Sequence, residues 1–451
     1  AKIQRRRDVM KLPTFIGGVH PYDGKELSKD KPIVKYLPKG DLVFPVIQHI
    51  GAPAKPVVKR NDLVLMGQVI AEAGGFVSSP VISSVSGKVK AVEPRLTPTG
   101  ARVDAIVIEN DGAYTPVEGL GQKRDYTKMS REEIIAAIRD AGIVGLGGAG
   151  FPAHVKLSPK EPEKIDYVIV NGAECEPYLT SDYREMLEMP EKVIEGLKIV
   201  LSLFDKAKGV IAIEDNKPDV IAKMEELVKS EDRITVSPMK AKYPQGGERN
   251  IIYAITGRKI HFGVLPADVG CVVHNVDTIV AIQMAVSEST PLMRRIFTVT
   301  GQAINNPGNY EVKIGTDFGE LIELCGGLKE ETQKVVAGGP MMGFALFNLN
   351  VPVTKTSSGM TCMLQDDLAQ YEETPCIRCG RCVKACPARL VPSMLMDVGE
   401  KYDLESFEAL NGMECYECGS CTYACPAHRP LTQGCKFMRQ AVMAERRKQQ
   451  K

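Results

Sequence analysis

The chain has 451 residues, 44% of them hydrophobic, and a formal net charge of +1 from 57 Lys and Arg against 56 Asp and Glu. That length suggests three or four domains at about 100 to 200 residues each, and the near-neutral balance argues against nucleic acid or another polyanion as partner. No run reaches the roughly 18 uninterrupted apolar residues that a spanning helix needs; the nearest, Cys271 to Val286, is broken by His274, Asn275, Asp277 and Gln283.

The N-terminal stretch lacks the apolar core of a secretory leader. With thirteen cysteines in a mostly ligand-like pattern, this predicts a reducing, cytoplasmic setting. Arg5, Arg6 and Arg7, and the tail Arg446, Arg447 and Lys448, could touch anionic lipid or another subunit. Solvated chain ends are the plainer account.

From about Val43 to Pro94, short β-branched runs alternate with glycine and proline, which predicts small strands and tight turns. The pattern resembles the barrel-sandwich fold of biotinyl and lipoyl carrier domains. Phe76, Val77 and Ser78 occupy the hairpin tip where a carrier lysine would stand, so a scaffold role is expected. From about Ser130 to Asn275 helices and apolar strands alternate. Helices are expected over Glu132 to Ala141, Pro190 to Leu203 and Pro218 to Ser230, and buried strands over Tyr167 to Val170 and Gly209 to Glu214. Such alternation predicts an α/β layer with a largely parallel sheet.

The segment "GIVGLGGAGFPAHVKL" sets Gly145, Gly147, Gly148 and Gly150 after a predicted helix. Glycines let backbone amides approach an anion, and a following helix N-terminus favours it, so the loop can cradle a phosphate. On its own it reads equally well as a plain turn. Between Ile296 and Leu328 lie two expected strands, an Asn-Pro-Gly turn and a short helix, resembling a β-grasp module of the soluble-ligand-binding type.

Two copies of one cysteine spacing close the chain: Cys376-x2-Cys379-x2-Cys382-x3-Cys386-Pro387, and Cys415-x2-Cys418-x2-Cys421-x3-Cys425-Pro426. They read as ligands for two [4Fe-4S] clusters. In this pattern the fourth cysteine serves the other cluster, so Cys376, Cys379, Cys382 and Cys425 are expected to hold one and Cys415, Cys418, Cys421 and Cys386 the second. Zinc usually takes two separated C-x2-C pairs, and disulfides do not persist in a reducing cytosol. The motifs are offset by 39 residues, and a helix inserted between Val391 and Leu410 is expected to account for the length. Cys175, Cys271, Cys325, Cys362 and Cys435 lie outside the motifs and read mostly as buried small hydrophobes.

Taken in order, the glycine loop, "YVIVNGAECEPYLTSDYREML", "KYPQGGERN" and "GCVVHNVDT" resemble the flavin-bearing, NADH-oxidising subunit of respiratory complex I and its relatives. With the barrel, the β-grasp segment, the two-cluster tail and the opening "TFIGGVHPYDGKE" and "VIQHIGAP", the resemblance over nearly the whole length is to RnfC, the C subunit of Rnf electron-transport complexes. It implies non-covalent FMN contacted by Gly145, Gly147, Gly148, Gly150 and Lys156, with Asn171 bonding the flavin. Tyr243, Gly246 and Glu248 match one family segment and Asn275 another. Glu176 would stand beside the nicotinamide nucleotide and Phe151 would stack on the adenine. Leu146, Leu157, Ala173 and Gly247 stand where the complex I subunit has arginine, tryptophan, aspartate and glutamate. Read without the family, Glu176 is a helix-start carboxylate, Phe151 a core ring and Tyr243 a packed turn residue.

The expected architecture is multidomain α/β plus β. Residues 1–125 would form the barrel-sandwich domain, 126–290 the FMN- and NADH-binding α/β domain, 291–355 the β-grasp module, and 356–451 a helical two-cluster ferredoxin-like domain. The implied activity is that of an NADH-dependent flavin and iron–sulfur oxidoreductase. NAD(H) would be its substrate, ferredoxin or a ferredoxin-like subunit its electron partner, and Na+ or H+ translocation the work of the complex. The subunit would lie on the cytoplasmic face of the cell membrane among the other subunits, with no transmembrane segment. Three rivals are a related cobalamin reductase, which the N-terminal barrel argues against, an electron-wire adaptor without a nucleotide site, and a carrier protein, which the missing lysine disfavours.

Overall fold

The computed structural model describes residues 12–449, so the Arg5 to Arg7 tract lies outside the described residues. The barrel is built from two antiparallel sheets. Strands Leu42–Pro45, Arg102–Asn110, Gly87–Leu96 and Leu63–Val64 lie side by side in that order, and Lys55–Pro56, Val69–Glu72 and Val81–Ile82 form the second sheet. Leu42, Phe44, Ile70, Val89, Ile106 and Ile108 are buried, as alternation in short strands requires. The hairpin tip is locked: Gly74 N donates to Ser78 Oγ, which donates to Ala52 O, and Phe76 O lies 3.3 Å from His154 Nε2. The tip is thereby tied to the next domain.

The α/β domain has four parallel strands, in the order Ile234–Met239, Lys208–Glu214, Tyr167–Gly172, Cys271–Asn275. Helices cover both faces, so these strands are apolar on both sides. The preceding helix, Arg131–Asp140, starts with a capping box in which Ser130 and Glu133 exchange side-chain and backbone bonds. Helices Pro190–Leu201 and Val276–Ser287 approach so closely that a Cβ on Gly196 would sit 2.3 Å from Ile279 O. Only glycine fits there. The broken apolar run Cys271 to Val286 is thus a buried strand followed by a buried helix, and no helix among the described residues is long and apolar enough to cross a membrane.

The β-grasp sheet has six strands: Ile33–Lys35, Gly308–Lys313, Arg294–Thr300, Gly359–Met363, Lys334–Ala337 and Phe344–Ala345. Its first strand comes from ahead of the barrel and its fourth from beyond residue 355. Ile33–Lys35 fills an edge position and Gly359–Met363 an interior one, and linear reading reveals neither pairing. Five helices carry the C-terminal region: Arg381–Ala385, Pro392–Gly399, Leu404–Ala409, Ser420–Tyr423 and Leu431–Gln449. The insertion between Val391 and Leu410 holds two helices rather than one. Tyr402 breaks them in a left-handed conformation and Asp403 caps the second.

The regions are fastened to one another by buried charge. Arg294 and Arg295 of the β-grasp sheet pair with Asp277 at 3.2 and 2.7 Å, and Arg294 with Glu185 at 3.2 Å. Lys355 Nζ donates to Ser79 Oγ, Pro80 O and Gly142 O, joining barrel and α/β domain. One apolar cluster runs from Phe44 through Ile143 to Val168 and Ile279, so these two domains share a core.

Candidate functional site

In an open parallel sheet, ligands bind at the carboxyl ends of the strands where the chain reverses its direction of winding. Here that point lies between Tyr167–Gly172 and Cys271–Asn275, where Asn171 and Asn275 are register partners. The glycine loop comes to the same place. Gly145 N donates to Phe151 O, closing the loop, and Leu146 N donates to Thr278 Oγ1. A Cβ on Gly147 would meet Asn275 at 2.8 Å, one on left-handed Gly150 would meet Gln48 O and the His49 backbone, and Gly148 faces open space. The half-buried Phe151 leads into the short helix Ala153–Lys156.

Most of the expected flavin residues are brought together here. Lys156 Nζ donates to Glu248 Oε1 and to Val273 O, both at 2.9 Å. Asn171 Nδ2 donates to Gly246 O, and Gly246 N donates to Cys175 Sγ. Asn275 Oδ1 caps helix Val276–Ser287 while its Nδ2 donates to Asp182. Burial raises the Asp182 carboxyl to about 7, with the neighbouring Glu174 and Asp277 adding to the shift.

Two expected residues point elsewhere. The carboxylate of Glu176 accepts the N–H groups of Met341 (2.6 Å) and Met342 (3.1 Å) in the β-grasp turn, and burial lifts it to about 7. Tyr243 is buried and its phenol donates to Cys418 O at 2.6 Å, so it faces the cysteine-rich region.

Sequence reasoning missed the support beneath this loop. Glu174 and Tyr178 are left-handed at φ 45° and 69°. Such strain in non-glycine residues gathers at working sites. It is held by Glu174, whose carboxylate accepts Asp182 N and Tyr183 N, by Lys25 on Glu176 O, and by Lys217 on Ala173 O. Lys25 is 151 residues distant in sequence from Glu176, and no local signal reveals it.

The cysteines form two unlike groups. Cys386, Cys415, Cys418 and Cys421 line a small cavity of about 20 Å3 together with Tyr416, Thr432 and Cys435. All four are shielded from solvent to some degree, Cys386, Cys418 and Cys421 being buried. Cys382 and Cys425 pack with Leu431, whereas Cys376 and Cys379 are exposed; Cys376 borders an open cleft with Arg378, Met394 and Arg429. Among the described residues no three His, Cys, Asp or Glu side chains close on a point suited to a single ion. The four cysteines share the lining of one cavity, and thiolates are the donors that iron–sulfur clusters use.

Four family models match the chain in order: the RnfC barrel sandwich hybrid domain over residues 13–113, the Nuo51 FMN-binding domain over 138–284, the SLBB domain over 296–345, and a 4Fe-4S dicluster domain over 369–426. The C subunit of the proton-translocating ferredoxin:NAD(+) oxidoreductase complex of Clostridium ljungdahlii is 48% identical, the match covering 95% of this chain and 94% of that one. The C subunit of the Na(+)-translocating ferredoxin:NAD(+) oxidoreductase complex of Acetobacterium woodii is 43% identical over 97% and 99%. The C subunit of the ion-translocating oxidoreductase complex of Rhodobacter capsulatus is 42% identical over 93% and 82%.

Proposed function

This chain belongs to the RnfC family, the C subunits of ion-translocating ferredoxin:NAD(+) oxidoreductase complexes, and on that premise we propose how its residues divide the work. It is an electron-transfer subunit of such a complex, with FMN and two [4Fe-4S] clusters as cofactors and NAD(H) as substrate. When bound, these groups convert a two-electron hydride into single electrons and carry them.

The protein's part is binding and placement. Gly147, Gly148 and Gly150 offer backbone amides to the phosphate end of FMN, Gly145 closes the loop through its own amide, and Lys156, pinned by Glu248, is the nearby cation. Asn171, Gly246 and Asn275 define the floor at the strand ends. Phe151 orients the nicotinamide nucleotide, and Glu176, its carboxylate engaged by the Met341 and Met342 amides, acts on that site only by holding the β-grasp turn in place. Cys386, Cys415, Cys418 and Cys421 hold a buried cluster, and Cys376, Cys379, Cys382 and Cys425 an outer one.

One adjacency carries this reading. Tyr243 and Cys175 pack in one cluster with Cys418, and Cys175 is bonded to the flavin-floor residue Gly246. The buried cluster is therefore the one next to the flavin. The outer cluster lies at the exposed edge of Cys376 and Cys379, where Arg378, Arg381 and Lys384 stand exposed along with Glu372 and Glu373, and ferredoxin or a ferredoxin-like subunit would meet it there. We place the subunit on the cytoplasmic face of the membrane, held by its partner subunits. The relatives from Clostridium ljungdahlii and Acetobacterium woodii differ in the ion translocated, so likeness at this level does not separate H+ from Na+.

The test is anaerobic preparation with flavin, iron and sulfide quantitation, followed by NADH titration. Flavin together with iron for two clusters, bleached in the visible by NADH, is the expected result. Protein without flavin whose clusters ignore NADH would reduce it to an electron wire.

A further inference from the structure

We propose that Arg249 is a positioning residue that couples the flavin site to the buried cluster: from the helix turn that holds the flavin-site cation, it grips Glu414 and the ring of Tyr416, fixing the second cysteine motif and balancing the carboxylate that precedes Cys415. This rests on the reading that the glycine loop and Lys156 serve FMN and that Cys386, Cys415, Cys418 and Cys421 hold that cluster.

Helix Glu248–Thr256 begins two residues after Gly246, which accepts the Asn171 amide at the flavin floor. Its first two residues divide their contacts. Successive positions on an α-helix stand about 100° apart, so neighbours in sequence address different surroundings. Glu248 Oε1 accepts Lys156 Nζ at 2.9 Å, whereas Arg249 Nη1 donates to Glu414 Oε2 at 2.8 Å and its guanidinium lies 5.1 Å from the centre of the Tyr416 ring. Tyr416 stands between Cys415 and Cys418 and lines the cluster cavity. Two adjacent residues thus join the two cofactor sites.

The side chains of Arg249 and Glu414 are 22% and 25% exposed, which spares the pair much of the screening that weakens surface ion pairs. Phe262 N donates to both Glu414 oxygens at 2.9 and 3.0 Å, and Arg439 lies over the Phe262 ring and pairs with Glu417. Arginine suits the place because its planar fork can bond a carboxylate and stack on an aromatic face together. The pair also has an electrostatic sign. A cluster takes up an electron more readily beside positive charge and less readily beside negative charge. With Arg249 in place the charge of Glu414 is balanced. Without it, a carboxylate one residue from Cys415 opposes reduction.

The test uses the full-length protein, reconstituted anaerobically, as wild type, Arg249→Met, Arg249→Lys and Glu414→Gln. Flavin, iron and sulfide are quantified, and both clusters are titrated against potential by electron paramagnetic resonance, all at one pH because His261 Nδ1 lies 3.6 Å from Glu414. At wild-type flavin and iron content, Arg249→Met is expected to move one midpoint to a more negative potential and Glu414→Gln to move the same midpoint the other way, with the second cluster unchanged. Arg249→Lys, which keeps the charge, is expected to return toward wild type. Shifts of both variants in the same direction, or no shift, overturn the proposal, because a purely structural contact carries no such sign. So does loss of cluster iron from Arg249→Met, which would make the residue a support of the cluster fold alone. Wild-type protein without flavin, or with iron for a single cluster, overturns the underlying reading and this proposal with it, and the composition of the wild type alone tells that case apart.

Discussion

The phenol of Tyr243 and the backbone carbonyl of Cys418 are joined by a 2.6 Å hydrogen bond, which links the segment carrying Gly246 to a cysteine of the buried cavity. The Tyr243 ring is 2% exposed and packs with Cys175, Cys418 and Met341. The turn that contains Met341 is in turn held by Glu176. The segments carrying Cys175 and Tyr243, the β-grasp turn and the cysteine region thus meet at one small contact.

Changing Tyr243 to Phe removes that bond and leaves the ring. A net loss of about 1 kcal/mol in stability is expected. Slower bleaching of the clusters by NADH in stopped flow, at unchanged flavin and iron content, is the accompanying outcome. An unaltered rate would show that the contact is structural only.

The crossed ligation and the order of the clusters are separable by single cysteine changes. Cys386→Ser is expected to empty the buried site, after which NADH no longer reduces the remaining cluster efficiently. Cys425→Ser is expected to empty the outer site and leave an NADH-reducible cluster that passes electrons poorly to an external acceptor. Iron content and freeze-quench spectra check both.

Glu176 makes the 174–178 segment sensitive to pH. Burial raises its carboxyl from an ordinary value of 4.5 to about 7. The folded protein therefore holds a proton that the unfolded chain has lost in that interval. The stabilising contribution is complete below about pH 4.5 and disappears as pH rises through about 7. Thermal melts of the wild type and of Glu176→Gln should diverge across this window, the wild type losing ground as pH rises. Parallel curves would remove Glu176 from the account.

Arg295 is 2% exposed and pairs with Asp277, which is also buried. Truncating it to Met removes the shorter of the two arginine contacts to Asp277 and leaves Arg294 alone to balance that buried carboxylate at the seam between the β-grasp sheet and the α/β domain. Breaking a buried pair in this way typically costs about 3–5 kcal/mol. Denaturant unfolding is expected to show a loss of that size. A change within about 0.5 kcal/mol, as for an ordinary surface substitution, would mean that Arg294 suffices.

Much of this molecule is local and so could be read from the chain. The eight motif cysteines announce themselves because three-residue spacing suits wrapping one side of a small inorganic core, and the strand at Tyr167 and the helix after Ser130 follow from apolar periodicity. The glycine loop alone stayed ambiguous between turn and phosphate cradle. What folding adds is everything that joins distant segments: Lys25 beneath the 174–178 loop, Ile33–Lys35 in the β-grasp sheet, Glu176 on the 341–342 amides, Tyr243 on Cys418, and Cys435 at the cavity. Spacing along a chain specifies chemistry within reach of a few bonds. Which elements then abut depends on how apolar faces and buried charges find partners across hundreds of residues, and that decides the neighbours of flavin and clusters.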